Sequence, residues 1–154
     1  MENVWAVIVT YNRKALLLKC LAAVAAQTRR PDGIIIVDNA STDGTLDHLA
    51  SEGWLHRDGV ELLALDHNAG GAGGFAAGLA RAVEVGADWV WMMEDDAEPH
   101  LDALEVLYAR DLDHGNIYGS VAVSSDSLSW PMMHVSGGVG AEVSRVSDLS
   151  EEMP

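Results

Sequence analysis

The stretch Ile34-Ile35-Ile36-Val37-Asp38 sets four consecutive β-branched apolar side chains directly before a carboxylate. Side chains alternate between the two faces of a strand, so an unbroken apolar run needs cover on both faces, as in a parallel sheet packed between helices. The flanking segments agree. Val4 to Thr10 reads as a first strand, and Lys14 to Gln27 as a helix with Leu17, Leu21 and Val24 on one face. Past Asp38, the segment Asn39 to Gly44 is a turn rich in Asn, Ser, Asp and Gly, followed by a short helix to about Glu52. Val60 to Leu65 reads as a third strand, Phe75 to Val85 as a helix, and Asp88 to Met93 as a fourth strand. A helix from Pro99 or His100 to about Arg110 and a fifth strand from Ile117 to Ser124 complete the series. Strands alternating with helices predict the α/β class, a mostly parallel sheet flanked by helices. The polar run Ser124 to Ser127 and the glycines of Gly137 to Gly140 bracket an expected C-terminal β-hairpin. The main domain is therefore expected to occupy residues 1–125, leaving 126–154 as a hairpin or tail.

The 154 residues suffice for one domain with a core. A formal net charge of −15 argues against nucleic acid or an anionic membrane as an electrostatic partner, because such surfaces call for clustered Lys and Arg. The nine basic residues are scattered, so a phosphate-bearing ligand would need a metal to supply positive charge. The single cysteine, Cys20, sits in an apolar helical stretch and reads as a small core residue in a reducing compartment. The N-terminal residues show no signal-peptide pattern, and no apolar run approaches the roughly 20 residues of a membrane span. The expectation is a cytoplasmic protein with no transmembrane segment, at most peripheral to the inner membrane face.

Open parallel sheets hold ligands outside the carboxyl ends of their strands, and three polar clusters fall there. Thr10-Tyr11-Asn12-Arg13 follows the first strand, Asp38 to Asp43 the second, and Glu94-Asp95-Asp96 the fourth. Three adjacent carboxylates repel one another, so a hard divalent cation is a natural neutraliser. Along an extended segment Glu94 and Asp96 would point one way and Asp95 the other. The competing reading makes the triplet a helix cap, with Pro99 in the first helical turn. Asp38 can accept from the imino N–H of a uracil or thymine ring or from ribose hydroxyls, whereas Asp43 sits in a turn where capping is the default. Asn68-Ala69-Gly70-Gly71-Ala72-Gly73-Gly74-Phe75 precedes a helix and lets the backbone approach a ligand or a neighbouring helix. Read as Gly71-x-Gly73-x-x-Ala76 it also matches the loose dinucleotide fingerprint, which keeps a nicotinamide-dependent oxidoreductase as an alternative. His67 and His134 receive no assignment.

Taken together, Val9 to Arg13, Val37 to Thr45, Asn68 to Phe75 and Glu94 to Asp96 resemble the ordered motifs of the family 2 glycosyltransferases. The glycine-rich segment and the Trp89-Val90-Trp91-Met92-Met93 strand are most similar to the galactofuranosyl- and rhamnosyl-transferase branch. The resemblance implies a Rossmann-like GT-A fold and an inverting transferase that uses Mn2+ or Mg2+ and a UDP- or dTDP-sugar, with a glycan or lipid-linked glycan as acceptor. It implies that Thr10, Tyr11, Asn12, Arg13 and Asp38 line the nucleoside pocket. Asn68 with Gly70, Gly71 and Gly73 would border the ribose and diphosphate, beside Asp95, and Glu94 and Asp96 would hold the metal. The family places Asp where Glu94 stands, and sets its catalytic base well beyond the donor half. After Ser124 no base is identified: Glu142, Asp148, Glu151 and Glu152 are candidates by residue type only. The expected product of this chain is a donor-binding half, acting either within a transferase or as a non-catalytic nucleotide-sugar-binding module.

Overall fold

The computed structural model describes residues 2–109, 112–118, 123–124, 127–136 and 139–145. Two compact units divide the chain, Met1–Asp111 and Leu112–Pro154. In the first, β1 (Val4–Thr10), β2 (Gly33–Asp38), β3 (Val60–Ala64) and β4 (Trp89–Glu94) form a sheet in the order β3-β2-β1-β4, parallel throughout. The helices are α1 (Lys14–Ala25), α2 (Thr45–Ser51), α3 (Gly70–Glu84) and α4 (Ala103–Tyr108), with one 3-10 turn at Trp54–His56.

The isoleucine run behaves as its alternation demands. Ile34 and Ile36 join Ala6 and Ile8 in a core with Leu17, Cys20, Leu21 and Val24 of α1 and Leu49 of α2. Ile35 and Val37 join Val7 and Val9 on the opposite face, against Ala82 and Phe75 of α3. Every residue of β2 is buried. The chain thus lays α1 and α2 on one face while moving outward from β1 to β3, then crosses under the sheet through α3 to place β4 on the other side of β1. Right-handed crossovers running in opposite directions must lie on opposite faces. The strand order reverses between β1 and β4, and such a switch point opens a crevice at the carboxyl ends of the strands.

Four expectations need correction. The helix expected from Phe75 begins at Gly70, inside the glycine run. The helix expected from Pro99 or His100 begins at Ala103, because the buried Gln27 side chain takes the His100 carbonyl (2.6 Å) and the Leu104 N–H (3.0 Å) and holds the intervening residues as a turn; Arg110 lies outside the described residues. Ile117 and Tyr118, assigned to a fifth strand, are not extended in a sheet, and residues 119–122 lie outside the described residues. Ile117 is fully exposed at 101 %, and β-propensity counts only where a partner and a packed face exist. Of the described residues in that segment only Val123–Ser124 forms a strand, β5, and it pairs antiparallel with β6 (Ser127–Ser136), which pairs antiparallel with β7 (Val139–Arg145). A C-terminal hairpin forms as β6–β7, but it reverses between Ser136 and Val139, within the glycine segment expected to follow it, and the interval expected to hold both strands is β6 alone; Asp148, Glu151 and Glu152 lie outside the described residues.

Candidate functional site

At the switch point, the loop after β1, the start of α3 and the end of β4 surround a cleft of about 230 Å3. Thr10, Tyr11 and Arg13 line it from the first, Asn68, Gly70 and Gly71 from the second, and Glu94 and Asp95 from the third. Four further residues singled out in the sequence, Asn12, Asp38, Gly73 and Asp96, do not line it.

The deepest polar contact joins Thr10 and Asp95, both buried; the Thr10 hydroxyl donates to Asp95 Oδ2 at 2.7 Å. Arg13 Nη1 lies 3.5 Å from Asp95 Oδ1 and 3.2 Å from Asp96 Oδ2. The alternation expected along an extended chain therefore stops at Glu94. There β4 ends, the Ala97 N–H closes a turn onto the Glu94 carbonyl (3.2 Å), and Asp95 and Asp96 meet the same guanidinium. The triplet caps no helix, since α4 starts at Ala103 behind an Asp102 N-cap.

Asp38 is 1 % exposed at the end of β2, in register with Thr10. Its Oδ2 accepts from the Ser41 N–H at 3.1 Å, while Oδ1 is buried with no hydrogen-bond partner among the described residues. A buried oxygen of a carboxylate without a partner costs free energy, and the position asks for a donor. Asn12, at φ 54°, takes the left-handed conformation that Asn tolerates. It binds the neighbouring turn at two points, its N–H to Ser41 Oγ (2.9 Å) and its Oδ1 from the Thr42 N–H (2.7 Å).

Asp43 does structural work. It accepts from the Thr45 N–H (3.1 Å) and hydroxyl (2.5 Å) at the start of α2, and Lys14 Nζ donates to its carbonyl at 2.9 Å. The Thr45 hydroxyl is the main cause holding its carboxyl below the usual range, with the Lys14 N–H and charge adding. A carboxylate with a lowered folded-state pKa stabilises above its unfolded pKa and loses that contribution as pH falls through the folded value. Asp43→Ala is accordingly expected to cost about 1 kcal/mol near neutral pH, with the difference from wild type shrinking in urea melts below pH 4. A constant difference across that range would contradict the capping role.

Sequence reasoning passed over Asn39. It is 2 % exposed, donates from Nδ2 to the Gly70 carbonyl (3.0 Å) and accepts at Oδ1 from the Ala69 N–H (3.2 Å), clamping the glycine-rich segment to the end of β2. The available signal was an amide following a buried strand directly. Asn68 adds a second brace, its Oδ1 accepting from the Gly70 N–H at 2.8 Å. The glycine run has two jobs. Gly70 supplies a φ of 71°, and a Cβ at Gly71 would meet only Glu94 Oε1 at 3.8 Å, so this end stays open toward the cleft. A Cβ at Gly74 would stand 2.6 Å from Val9 Cγ1, so that glycine exists for helix-on-sheet packing. The dinucleotide fingerprint fails on the same geometry: Gly71 and Gly73 lie inside a helix that follows the edge strand β3, not in a tight turn after a central strand.

The acidic end of β4 suits a hard cation. Glu94 is exposed, the Asp96 side chain is 53 % exposed, and all the donors are oxygens. Among the described residues no three His, Cys, Asp or Glu side chains gather closely enough to enclose an ion by themselves. Mg2+ is commonly held by one or two carboxylates together with substrate phosphates and water. The residues therefore fit a cation shared with a diphosphate and do not fit a closed protein cage. Behind them Cys20 is fully buried; burial, with the Asp95, Asp96 and Glu98 charges adding, pushes its thiol up to about 12, which leaves it inert.

Residues 5–145 match the glycosyl transferase family 2. The chain belongs to glycosyltransferase family 2. Over 98 residues it is 42 % identical to the galactofuranosyltransferase GlfT1 of Mycolicibacterium smegmatis, a stretch covering 64 % of this chain and 31 % of that protein. Over 96 residues it is 45 % identical to the Mycobacterium tuberculosis GlfT1, covering 62 % and 31 %. This family 2 chain thus spans about a third of the length of these relatives. Among solved structures, Staphylococcus aureus TarS 1-349 in complex with UDP superposes with a TM-score of 0.59 at 22 % identity, over 70 % of this chain and 31 % of that one. The mannosyltransferase PcManGT from Pyrobaculum calidifontis, in complex with GDP-Man and Mn2+, gives 0.58 at 27 % identity, over 66 % and 30 %. The architecture is the GT-A fold of these glycosyltransferases. Among the described residues no helix is long and apolar enough to cross a membrane.

Proposed function

We propose that the chain is the donor-binding portion of a metal-dependent, inverting glycosyltransferase that takes a sugar from a UDP- or dTDP-sugar for transfer to a glycan or lipid-linked glycan acceptor. The observation that carries this reading is the buried oxygen of Asp38, without a partner among the described residues, in register with Thr10 of a cleft bounded by a helix start and an acidic strand end. Asp38 would accept from the base or ribose, Tyr11 and Asn12 would border the nucleoside, and Asn68, Gly70, Gly71 and Gly73 would bring backbone N–H groups near the diphosphate. Glu94 and Asp96 would hold Mn2+ or Mg2+, and the bound cation supplies Lewis-acid stabilisation of the departing nucleoside diphosphate. Thr10 holds Asp95 in place behind them. The kinship to galactofuranosyltransferases makes galactofuranose the first sugar to test.

Calorimetry with UDP, dTDP and GDP in Mn2+ buffer tests the reading; a folded chain that binds none of them refutes it. Asp96→Ala is expected to weaken Mn2+-dependent UDP binding at least tenfold, the loss of a hydrogen-bonded or coordinating charged group being worth about 1.5–3 kcal/mol. UDP affinity in EDTA should stay at the wild-type value. Unchanged affinity in Mn2+, with only the melting temperature lowered, would make Asp96 purely structural.

A further inference from the structure

Among the described residues Arg13 is the one cation paired with the acidic triplet, and its position gives it a task beyond lining the nucleoside pocket. Its Nη1 spans Asp95 Oδ1 at 3.5 Å and Asp96 Oδ2 at 3.2 Å. The two halves of that bridge differ. Asp95 has a side chain only 4 % exposed, and the Thr10 hydroxyl on its other oxygen is neutral, so the buried charge draws its compensation from Arg13. Asp96 and Arg13 have side chains 53 % and 52 % exposed, where an ion pair is weak and readily exchanged. A cation that is to use Asp96 must therefore compete with a guanidinium whose Nη1 faces the exposed Asp96 and the buried Asp95 charge at once.

We propose that Arg13 is a built-in counter-ion that occupies the acidic site in the absence of metal, and that it makes divalent-cation binding depend on a diphosphate. The inference rests on the donor-site reading above. A cation arriving alone has to displace Arg13 from Asp96 and leaves the guanidinium with nothing in exchange. A cation arriving with a diphosphate offers the freed guanidinium phosphate oxygens within the cleft it already lines, and the planar fork of Arg matches phosphate. Cation and diphosphate then bind cooperatively, each strengthening the other by the same factor.

The test follows Mn2+ binding to the full chain by the loss of the free-ion EPR signal, with and without UDP, in wild type, Arg13→Gln and Arg13→Lys, with circular dichroism checking the fold. Without UDP, Arg13→Gln is expected to bind Mn2+ about tenfold tighter than wild type, within the usual range of coupling between sites. Arg13→Lys, whose ammonium is a shorter point charge, should fall between them. The gain in Mn2+ affinity brought by UDP should be smaller in Arg13→Gln than in wild type. Equal nucleotide-free Mn2+ affinities in all three proteins overturn the inference. Should Arg13→Gln not fold, Arg13→Lys decides: several-fold tighter binding supports the counter-ion, unchanged binding overturns it. Failure of the underlying reading looks different, because wild type would then bind no UDP in Mn2+ at all.

Discussion

Gly78→Val is expected to lower the folding stability of the chain by about 3 kcal/mol, the upper part of the range for forcing extra atoms into a packed core. The reason is the distance between α3 and the sheet. Gly78 is buried, and a Cβ there would stand 2.4 Å from Val7 Cγ1, closer than real side chains come, and a tight 3.0 Å from Val37 Cγ2. Both valines belong to central strands packed on their other face by α1 and α2, so the sheet cannot retreat and α3 must move out. Gly74, one turn earlier, sits under the same constraint against Val9. Urea melts give the measurement, and Gly71→Ala is the matched control. At Gly71 an added Cβ meets only Glu94 Oε1, at an ordinary contact distance of 3.8 Å, and φ is not positive, so alanine should leave stability unchanged or raise it by up to about 1 kcal/mol through helix propensity. Equal losses at the two positions would show that the glycine run acts as a flexible turn. Moving α3 would also shift Gly70 and its clamp to Asn39, so Gly78→Val should weaken UDP binding along with stability.

That contrast shows what the residues disclose and what they withhold. The Ile34 to Val37 run announced a strand covered on both faces, because a period of two with no polar member has only that solution, and the cores around Ile36 and Ile35 are its result. The three polar clusters were legible as one edge of the sheet for the same reason: in a parallel sheet all strands end on the same side. The glycines were half legible. A glycine that opens a backbone to a ligand and one that lets a helix lie on a valine are the same letter, and only the neighbours Val7 and Val9, some seventy residues away in sequence, tell them apart. Helix α3 could start at Gly70 against local propensity because Asn39 and Asn68 tie its first residues down. The acidic triplet was legible as a site and misjudged in its geometry. Strand alternation holds only while the strand lasts, and the turn at Asp95 and Asp96 brings both to Arg13. Ile117 shows the opposite failure, a strand-forming residue left fully exposed, with no sheet partner among the described residues.

Asp38→Asn is expected to raise stability while weakening UDP binding, and the opposite signs distinguish a ligand residue from a structural one. Asp38 Oδ2 takes the Ser41 N–H, and Oδ1 is buried without a partner among the described residues. The isosteric amide can keep its carbonyl on Ser41, which puts its NH2 where Oδ1 was. A buried charge is replaced by a neutral group, and folding should gain about 1 kcal/mol. For a nucleotide the same exchange is adverse: a base imino N–H or a ribose hydroxyl needs an acceptor there and would meet a donor. Loss of a hydrogen bond to a charged group is worth about 1.5–3 kcal/mol, so UDP affinity in Mn2+ should fall at least tenfold. Urea melts and calorimetry on the same protein preparation read the two effects. If stability and affinity fell together, Asp38 would be a brace for the Ser41 turn that the nucleotide feels only indirectly. If stability rose and affinity held, the unpartnered oxygen would have no ligand to serve. A buried carboxylate oxygen without a partner among the described residues is a cost to folding that a bound molecule would offset by completing it, and the two signs of this one substitution measure both sides of that exchange.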